Sequence, residues 1–199
     1  MYHYDLASVS EFDKKDTTFH MKTQTIIRPA RKGDVPAIMT IAGEHALETK
    51  SENERRREGF LVSPFTMPDY RSWIGQATVI GSSLEVFGFL IAFQKVSIPS
   101  KIDDIANVET IVGDEDYLLI KQVAVARAKQ GTGLGRLLYE SVIRSIDRSI
   151  VAQIVLSPRN QRSISFHESM GFVSQGEYEH PDGMARGVWV HRANNNLGV

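Results

Sequence analysis

Apolar residues along the chain follow two periods, one typical of helices and one typical of strands. After Asp34 they recur about every 3.6 positions through Ala42, which predicts a helix capped by that aspartate. Strands are predicted at short apolar or alternating runs: residues 23–28, 77–80, 84–93, 117–126, 151–157, 172 onward and 186–191. Further helices are predicted at residues 52–60 (helix or loop), around 73, 134–147 and 159–170. Residues 95–116 form a polar connection, which we expect to be functional or disordered.

The order of these strands and helices predicts an α/β fold, in which a mixed sheet carries helices on both faces. With 199 residues, 42% of them hydrophobic, the chain is long enough for one substantial core and short for two. We therefore expect one domain over residues 23–192, between a polar N-terminal extension at 1–22 and a C-terminal tail at 193–199.

Composition argues against several classes of function. The formal net charge is −1, so the chain has no general attraction for nucleic acid or for an anionic membrane surface. The absence of cysteine excludes disulfides, thiolate metal sites and an acyl-cysteine intermediate, and no metal site is predicted. No apolar run is long enough to span a membrane and the N-terminus lacks the features of a signal peptide, so we expect a cytoplasmic protein.

A glycine-rich turn at residues 130–135 joins a predicted strand to a predicted helix. The first N–H groups of a helix lack internal partners and lie at the positive end of its dipole, so glycines there let a phosphate approach closely. A P-loop would need Lys-Ser/Thr where this chain has Arg136-Leu137, and a dinucleotide fingerprint would need a third glycine at position 136. The spacing that remains is Gln130-x-x-Gly133-x-Gly135.

A second motif follows about one helix and one strand later. It reads Asn160-x-x-Ser163-x-x-Phe166-His167, followed by Gly171-Phe172. In this order the two motifs resemble the Q/R-x-x-G-x-G/A and N-x-x-A/S-x-x-F-Y-x-x-x-G-F patterns of the GNAT superfamily of N-acetyltransferases. The resemblance covers about residues 24–192 and implies a mixed, mostly antiparallel central sheet with helices on both faces.

The resemblance implies that the acetyl group of acetyl-coenzyme A passes directly to an amine, without a covalent enzyme intermediate. The glycine loop would bind the pyrophosphate, and backbone N–H groups of a bulged strand would bind the pantetheine arm and stabilise the oxyanion. The implied cofactor contacts are Val123, Ala124, Val125, Gln130, Gly131, Thr132, Gly133, Leu134, Gly135, Arg136, Asn160, Ser163 and Phe166. Asn160 would bind the pantetheine through its side-chain amide, and it also suits the N-cap of the following helix.

Proton transfer needs further residues, because an alkyl amine is mostly protonated at neutral pH. Candidate bases lie near the end of the first helix and before the central strand: Glu44, His45, Glu48, Asp114, Glu115 and Asp116. The strand position where relatives often carry a glutamate falls near Leu119. Relatives often protonate the departing thiolate with a tyrosine at the position of His167, which is either an acid here or a packed side chain. We predict catalytic roles for His167, Glu44 and Glu48, with Tyr139 and Tyr178 as alternative acids.

The acceptor is less well specified. Aromatic residues that could line an apolar pocket are Phe60, Phe65, Tyr70, Trp73 and Phe87. Acidic residues 114–116 would attract a cationic amine, whereas the arginines at 55–57 would attract a carboxylate. We expect a small-molecule amine; the alternatives are an acyl-coenzyme A-binding module without catalysis and an acetyltransferase of protein lysines or N-termini. A homodimer through sheet edges or terminal strands would suit the superfamily.

Overall fold

The computed structural model describes residues 24–62, 65–100, 102 and 105–193. The predicted N-terminal extension, and all but the first residue of the predicted tail, lie outside this part of the chain. Its strands are β1 (Ile26–Pro29), β2 (Ala77–Gly81), β3 (Val86–Gln94), β4 (Tyr117–Val125), β5 (Ser149–Val155), β6 (Val173–Glu179) and β7 (Ala185–His191). Its α-helices are α1 (Val35–Glu44), α2 (Glu52–Glu58), α3 (Met67–Ser72), α4 (Ile105–Val112), α5 (Leu134–Ile143) and α6 (Gln161–Ser169).

All seven described strands form one sheet, in the order β1-β2-β3-β4-β5-β7-β6. Neighbouring strands are antiparallel except for β4 and β5, which are parallel. Helices α1, α3 and α4 pack on one face of the sheet, and α5 and α6 pack on the other. The predicted fold, a mixed and mostly antiparallel sheet with helices on both faces, is confirmed.

Strand β3 shows how the sheet is buried on both faces. Phe89, Ile91 and Phe93 pack with α1 and α3, and the intervening Leu90 and Ala92 pack with α5. Because successive side chains of a strand point to opposite faces, a strand covered on both sides needs a nearly continuous apolar run. The run that predicted this strand therefore reflects two layers of helices.

Strand β4 contains a bulge at Lys121. Ile91 of β3 is opposite Gln122, but the next residue of β3 is opposite Ile120, so Lys121 is one extra residue in β4. The extra residue exchanges the two faces of β4. Before the bulge Leu119 faces α4, whereas after it Ala124 faces the α1 side and residues 123 and 125 turn toward α5.

Two local predictions differ from the structure. The polar connection at residues 95–116 contains helix α4, which buries Val108 and Val112 one helical turn apart. This helix has only eight residues and lies between acidic segments, so the polar flanks mask its apolar face. Asp34 stands at the start of α1, but its carboxylate makes two hydrogen bonds with the Arg28 guanidinium, at 2.7 and 2.9 Å, and caps no N–H group of α1.

A substitution at Gly88 on β3 tests whether β3 and β4 must lie as close together as they do. A Cβ atom at this position would lie 2.9 Å from the carbonyl oxygen of Ala124 and 3.1 Å from Cγ2 of Val125. We expect Gly88→Ala to lower the free energy of unfolding by about 1–3 kcal/mol, because backbone must move to accept the methyl group. Urea unfolding followed by circular dichroism measures the change.

Gly75→Ala is the matched control, since a Cβ atom added to Gly75 would have nothing within 4 Å and the backbone there is not left-handed. We expect it to change stability by no more than about 0.5 kcal/mol. Equal effects of the two substitutions would show that β3 and β4 tolerate a wider separation.

Candidate functional site

Strands β4 and β5 diverge after Ile120 and Ala152, and a cavity of about 680 Å³ lies between them. It is lined by the diverging ends of both strands, by four further segments that lie within residues 58–62, 129–136, 160–167 and 180–186, and by His45, Phe65 and Ile102. Every predicted cofactor contact except Thr132 lines this cavity. The structure therefore brings the two sequence motifs together on one cleft.

Backbone groups of β4 form one wall of the cleft. The N–H of Ala126 donates to the carbonyl of Phe87, 2.8 Å away, and so points toward β3. Because backbone groups alternate in direction along a strand, those of Val123 and Val125 point the opposite way, where β5 has already diverged. The carbonyl of Val125 accepts a hydrogen bond from Nε2 of His45 at 2.9 Å, which confirms this direction. The N–H groups of Val123 and Val125 thus face the cleft.

The glycine loop closes one end of the cleft at the start of α5. Gly131 and Gly133 have φ values of 75° and 84°, in the left-handed region that favours glycine. The first backbone bond of α5 runs from the N–H of Leu137 to the carbonyl of Gly133. Within the described chain the preceding N–H groups, of residues 131–136, donate to no backbone carbonyl. They form a row of donors at the positive end of a helix, which suits an anion.

Side chains around this loop divide into two groups. Lys129 and Arg136 line the cleft and add positive charge, and the Arg136 guanidinium also reaches Oγ of Ser169 at 3.3 Å. Thr132 turns away, because its hydroxyl donates to the carbonyl of Lys129 at 2.6 Å. Gly135 lies beside Phe166, whose ring would be 3.8 Å from a Cβ atom there, so the second motif packs directly against the first.

Asn160 connects α6 to the segment that crosses the cleft. Its Oδ1 accepts a hydrogen bond from the N–H of Ser163 at 3.3 Å, which is the predicted N-cap interaction. Its Nδ2 donates to the carbonyl of Phe60 at 2.9 Å. We call residues 45–62 the strap. Its first residue, His45, is hydrogen-bonded to β4, and Phe60, near its other end, is hydrogen-bonded to Asn160 at the start of α6.

His167 is buried in an aromatic cluster and is held at both ring nitrogens. Nδ1 lies 2.8 Å from the carbonyl of Ser163, to which it donates, and Nε2 lies 2.6 Å from the hydroxyl of Tyr139, from which it accepts. Burial lowers the pKa of His167 to about 4, so its imidazole is neutral at pH 7. Burial also raises the pKa of Tyr139 well above its usual range. Both side chains line the cleft.

Of the candidate bases at the end of α1, His45 lines the cleft, whereas Glu44 and Glu48 lie outside its lining. The carboxylate of Glu44 accepts a hydrogen bond from the backbone N–H of Arg127 at 2.7 Å, and Glu48 is exposed in a short 3-10 turn. The acidic residues at 114–116 lie at the opposite end of β4 and do not line the cleft. Their partners include Lys95, Arg148 and Arg192.

Two ionisable groups of the strap reach the cleft: the candidate base His45, and Glu58, which the sequence predictions do not include. His45 is 5% exposed, and burial lowers its pKa. Glu58 accepts a 2.7 Å hydrogen bond from the fully buried ammonium group of Lys50 and a 2.8 Å bond from Arg57. These bonds, that from Lys50 first, lower the pKa of Glu58 to about 2.

The turn between β6 and β7 contributes a cluster that the sequence predictions do not include. His180, Asp182 and Arg186 all line the cleft. Arg186 donates two hydrogen bonds to the Asp182 carboxylate, at 2.9 and 2.6 Å, and these hold the pKa of Asp182 well below its usual range. Nδ1 of His180 lies 2.9 Å from Oδ1 of the same carboxylate. The signal in the sequence is the His-x-Asp-x-x-x-Arg spacing around Gly183.

The predicted aromatic pocket is only partly present. Phe60 and Phe65 line the cleft. Tyr70 and Trp73 are buried in the core, where the hydroxyl of Tyr70 donates to Oε1 of Gln122 at 2.9 Å. Phe87 lies outside the lining, with the ammonium group of Lys129 4.7 Å from its ring centre.

Two features are absent from the described residues. No helix there is both long enough and apolar enough to cross a bilayer. The same residues contain no group of three or more histidine, aspartate or glutamate side chains placed to hold a metal ion.

Several solved structures are similar to this fold. They include the ribosomal-protein-S18-alanine N-acetyltransferase of Escherichia coli, with 18% identity, a TM-score of 0.58, and coverage of 88% of this chain and 100% of that one. NAA60 of Arabidopsis thaliana in complex with acetyl-CoA has 13% identity, a TM-score of 0.60, and coverage of 85% and 99%. The putative acetyltransferase yncA of Salmonella typhimurium with acetyl-CoA has 18% identity, a TM-score of 0.57, and coverage of 88% and 98%.

Sequence comparison assigns the family directly. No curated protein sequence matches the chain significantly. The family model described as "Acetyltransferase (GNAT) family" matches residues 45–172, which include the strap, the bulged strand, the glycine loop and the second motif. The chain therefore belongs to the GNAT family of acetyltransferases.

Proposed function

We propose that this protein transfers the acetyl group of acetyl-coenzyme A directly to the amine of a small molecule, within the cleft between β4 and β5. The proposal rests on one observation: two sets of backbone N–H groups that have no backbone acceptor in the described chain face the same cavity. One set is the backbone N–H groups of Val123 and Val125, and the other is the N–H groups of residues 131–136. The two sets match a ligand that has an amide-containing arm and an anionic end.

In this arrangement the glycine loop binds the pyrophosphate, and Lys129 and Arg136 add positive charge. The pantetheine arm lies along β4, where it completes the strand edge that β5 leaves. An N–H group of β4 stabilises the negative charge that develops on the thioester oxygen. No covalent intermediate is needed, because the amine nitrogen attacks the thioester carbon itself.

The thiolate of coenzyme A needs no side-chain acid on this proposal. A thiol with an ordinary pKa of about 8.5 is a good leaving group, and water supplies its proton afterwards. His167 is neutral and both of its ring nitrogens are bonded. We therefore assign His167 a packing role, in which it holds the buried hydroxyl of Tyr139, and Glu44 the role of fixing the backbone of Arg127.

Residues of the strap favour a small acceptor over a long peptide. Phe60, Leu61 and Val62 line the cleft where the strap runs from β4 to α6, and Phe65 lies beside them. A primary amine with an apolar body suits this surface. The alternative is an acetyltransferase of protein N-termini, which is favoured by the similarity to an enzyme named for the alanine of a ribosomal protein.

Cofactor binding is tested by thermal unfolding with and without acetyl-coenzyme A. At about 100 times the Kd the ligand adds roughly 2.7 kcal/mol to the free energy of unfolding, which raises the Tm of a domain this size by about 5–10 °C. We expect Gly133→Trp to abolish the rise, because the indole occupies the space of the pyrophosphate.

Gly113→Trp is the matched control. Gly113 and Gly133 both have left-handed backbone, and a Cβ atom added to either would have nothing within 4 Å, so their backbone strain is similar. Of the two, only Gly133 lies on the cleft, and we expect Gly113→Trp to keep the full rise in Tm. Loss of the rise in both variants would move the cofactor away from the glycine loop.

Thiol release from acetyl-coenzyme A distinguishes the possible acceptors. We expect turnover with small primary amines, such as ethylamine, phenylethylamine or spermidine, that exceeds turnover with a peptide carrying a free N-terminal alanine. The reverse order would favour a protein substrate. Binding of acetyl-coenzyme A without turnover of any amine would favour a module that binds the cofactor without catalysis.

The packing role of His167 predicts a pH-dependent stability. The folded chain holds the imidazole neutral, whereas an unfolded histidine takes up a proton near pH 6.5, so protonation favours unfolding. The contribution of His167 is therefore fully present above about pH 6.5 and is lost as the pH falls toward 4. It amounts to at most about 3 kcal/mol.

Urea unfolding of wild type and two variants between pH 4 and 8 measures this effect. We expect His167→Phe to lose about 1–3 kcal/mol at pH 7.5, because it leaves the buried hydroxyl of Tyr139 without an acceptor. The double variant Tyr139→Phe/His167→Phe removes both polar groups, so it should regain most of that loss and fall less steeply with decreasing pH than wild type. Parallel pH profiles of wild type and double variant would contradict a neutral, buried His167.

A further inference from the structure

We propose that Gln122 determines which amine the cleft accepts, by donating a hydrogen bond from Nε2 to an oxygen atom of the acceptor. This role rests on the proposed function, since it concerns the second substrate of the same transfer. The expected acceptors are primary amines that carry an ether, hydroxyl or carbonyl oxygen close to the nitrogen. Gln122 directly follows the bulge of β4, at the point where β5 has left this strand.

The hydroxyl of Tyr70 fixes the orientation of the Gln122 amide. It donates to Oε1 at 2.9 Å, and the exposed fractions are only 1% for Tyr70 and 4% for Gln122. Burial raises the pKa of Tyr70 to about 12, so the hydroxyl keeps its proton at neutral pH. Within the described chain that proton has no other acceptor, and a buried hydroxyl needs one. Oε1 therefore faces Tyr70, and Nε2 lies on the other side of the amide.

The Nε2 atom of Gln122 carries two hydrogens and donates to no group of the described chain. The atom is nonetheless not sealed inside the protein, and Gln122 lines the cleft, so Nε2 opens into the cleft. An amide N–H that leaves water without finding an acceptor costs free energy until a bound molecule supplies one. A nearly buried donor that opens into a cavity therefore indicates an oxygen atom of a ligand.

Strand geometry places this donor on the acceptor side of the cleft. Gln122 lies opposite Ile91 of β3, and Ile91 belongs to the apolar cluster that packs against α1 and α3. Residues directly opposite each other on neighbouring strands share a face of the sheet. The N–H of Val123 instead lies in the plane of the sheet and points to the gap that β5 leaves, where the pantetheine arm binds. Because the glycine loop occupies the α5 face, the α1 face is left for the acceptor.

Apolar side chains form much of the cleft on the α1 face. Those that line the cleft and belong to the cluster on this face are Leu61, Phe65, Ile102 and Ala124. A site that is built to hydrogen-bond a substrate discriminates against an analogue that lacks the bonding group, because its own buried donor is then left unpaired. The amide of Gln122 thus adds a requirement for oxygen to a surface that otherwise favours an apolar body.

Kinetics with 2-methoxyethylamine and butylamine test this role, because an ether oxygen in the first amine replaces a methylene group of the second. An ether oxygen accepts hydrogen bonds and donates none. Methionine has nearly the length of glutamine but no N–H group. We expect the ratio of kcat/KM for the ether to that for butylamine to fall about 5- to 10-fold in Gln122→Met. Comparison with the same ratio in wild type removes the difference in basicity between the two amines.

Tyr70→Phe is the matched control. It removes the same hydrogen bond but keeps the amide, which can still turn an N–H group to a bound oxygen, so we expect a smaller fall in the ratio. The double variant Tyr70→Phe/Gln122→Met leaves no buried hydroxyl without an acceptor, and it should show the full fall even where the single variant folds poorly.

Three kinetic results would overturn the role of Gln122. An unchanged ratio in Gln122→Met would show that the acceptor does not contact the amide. Equal losses with both amines would show that the amide binds the thioester or supports the fold. An equal fall of the ratio in Tyr70→Phe and Gln122→Met would trace the selectivity to the bond between the two side chains.

Spectroscopy detects the contact without turnover. The side-chain amide protons of Gln122, assigned by the signals that disappear in Gln122→Met, are followed in ¹H–¹⁵N spectra of the complex with coenzyme A, which has no acetyl group to transfer. We expect 2-methoxyethylamine to shift one of these protons downfield and butylamine to leave both nearly unchanged. Equal responses to the two amines would overturn the proposal.

Failure of the proposed function gives a different result. A wild-type chain that binds acetyl-coenzyme A but acetylates neither amine contradicts the small-amine function, and the amide spectra then decide on Gln122 alone. Faster turnover of a peptide with an N-terminal alanine than of 2-methoxyethylamine also contradicts the small-amine function. The ratio of the two amines in Gln122→Met then still decides whether the amide is the donor.

Discussion

Strands β4 and β5 pair at one end and diverge at the other, and we call this divergence the fork. The fork is the constraint on which the rest of the structure depends. A strand inside a protein must find partners for the backbone groups on both of its edges. Strand β4 pairs with β3 along most of its length, but it pairs with β5 only over residues 117–120. Beyond the bulge at Lys121, the groups of Val123 and Val125 face a cavity in which the described chain provides no strand. Such an edge costs free energy unless side chains or a ligand satisfy it.

The strap keeps the fork open at a fixed width. It is bonded to β4 through His45 and to the first turn of α6 through Asn160, so it links the two halves of the sheet across the cleft. Within the strap, the ammonium group of Lys50 is buried against Glu58, and that geometry leaves little freedom for the segment between them. The amide of Asn160 thereby has a structural partner in addition to its capping role. Replacing Asn160 would therefore remove a bond to the strap and a cap of α6 at the same time.

The sequence predicted those parts of the site that depend on local structure. Glycine conformation and the start of a helix are properties of neighbouring residues, so the loop at 130–135 was readable before any fold was known. The central strands β3 and β5 were readable because their apolar runs reflect burial on both faces. Helix α4 was missed because its apolar face is short and its flanks are polar.

Groups that depend on strand register could not be predicted in the same way. Glu44 is close in sequence to the cleft residue His45, but its side chain turns to the backbone of Arg127, 83 residues away. His180 reaches the cleft only because β7 pairs with β5 in a register that places Arg186 opposite Val155. Neither fact follows from spacing along the chain, since both depend on contacts between distant segments.

Ion pairing then determines which groups in the cleft can move a proton. The described lining carries five lysine and arginine side chains and two carboxylates, at Glu58 and Asp182, and each carboxylate is bonded to a cation. The surplus of positive charge suits a cofactor with several phosphate groups. Lys50 and Arg57 lower the pKa of Glu58, and Arg186 lowers that of Asp182, which makes both carboxylates weak bases. A carboxylate that is held by a cation in this cleft therefore stays ionised and accepts a proton only weakly, so ion pairing gives Glu58 and Asp182 structural roles rather than basic ones.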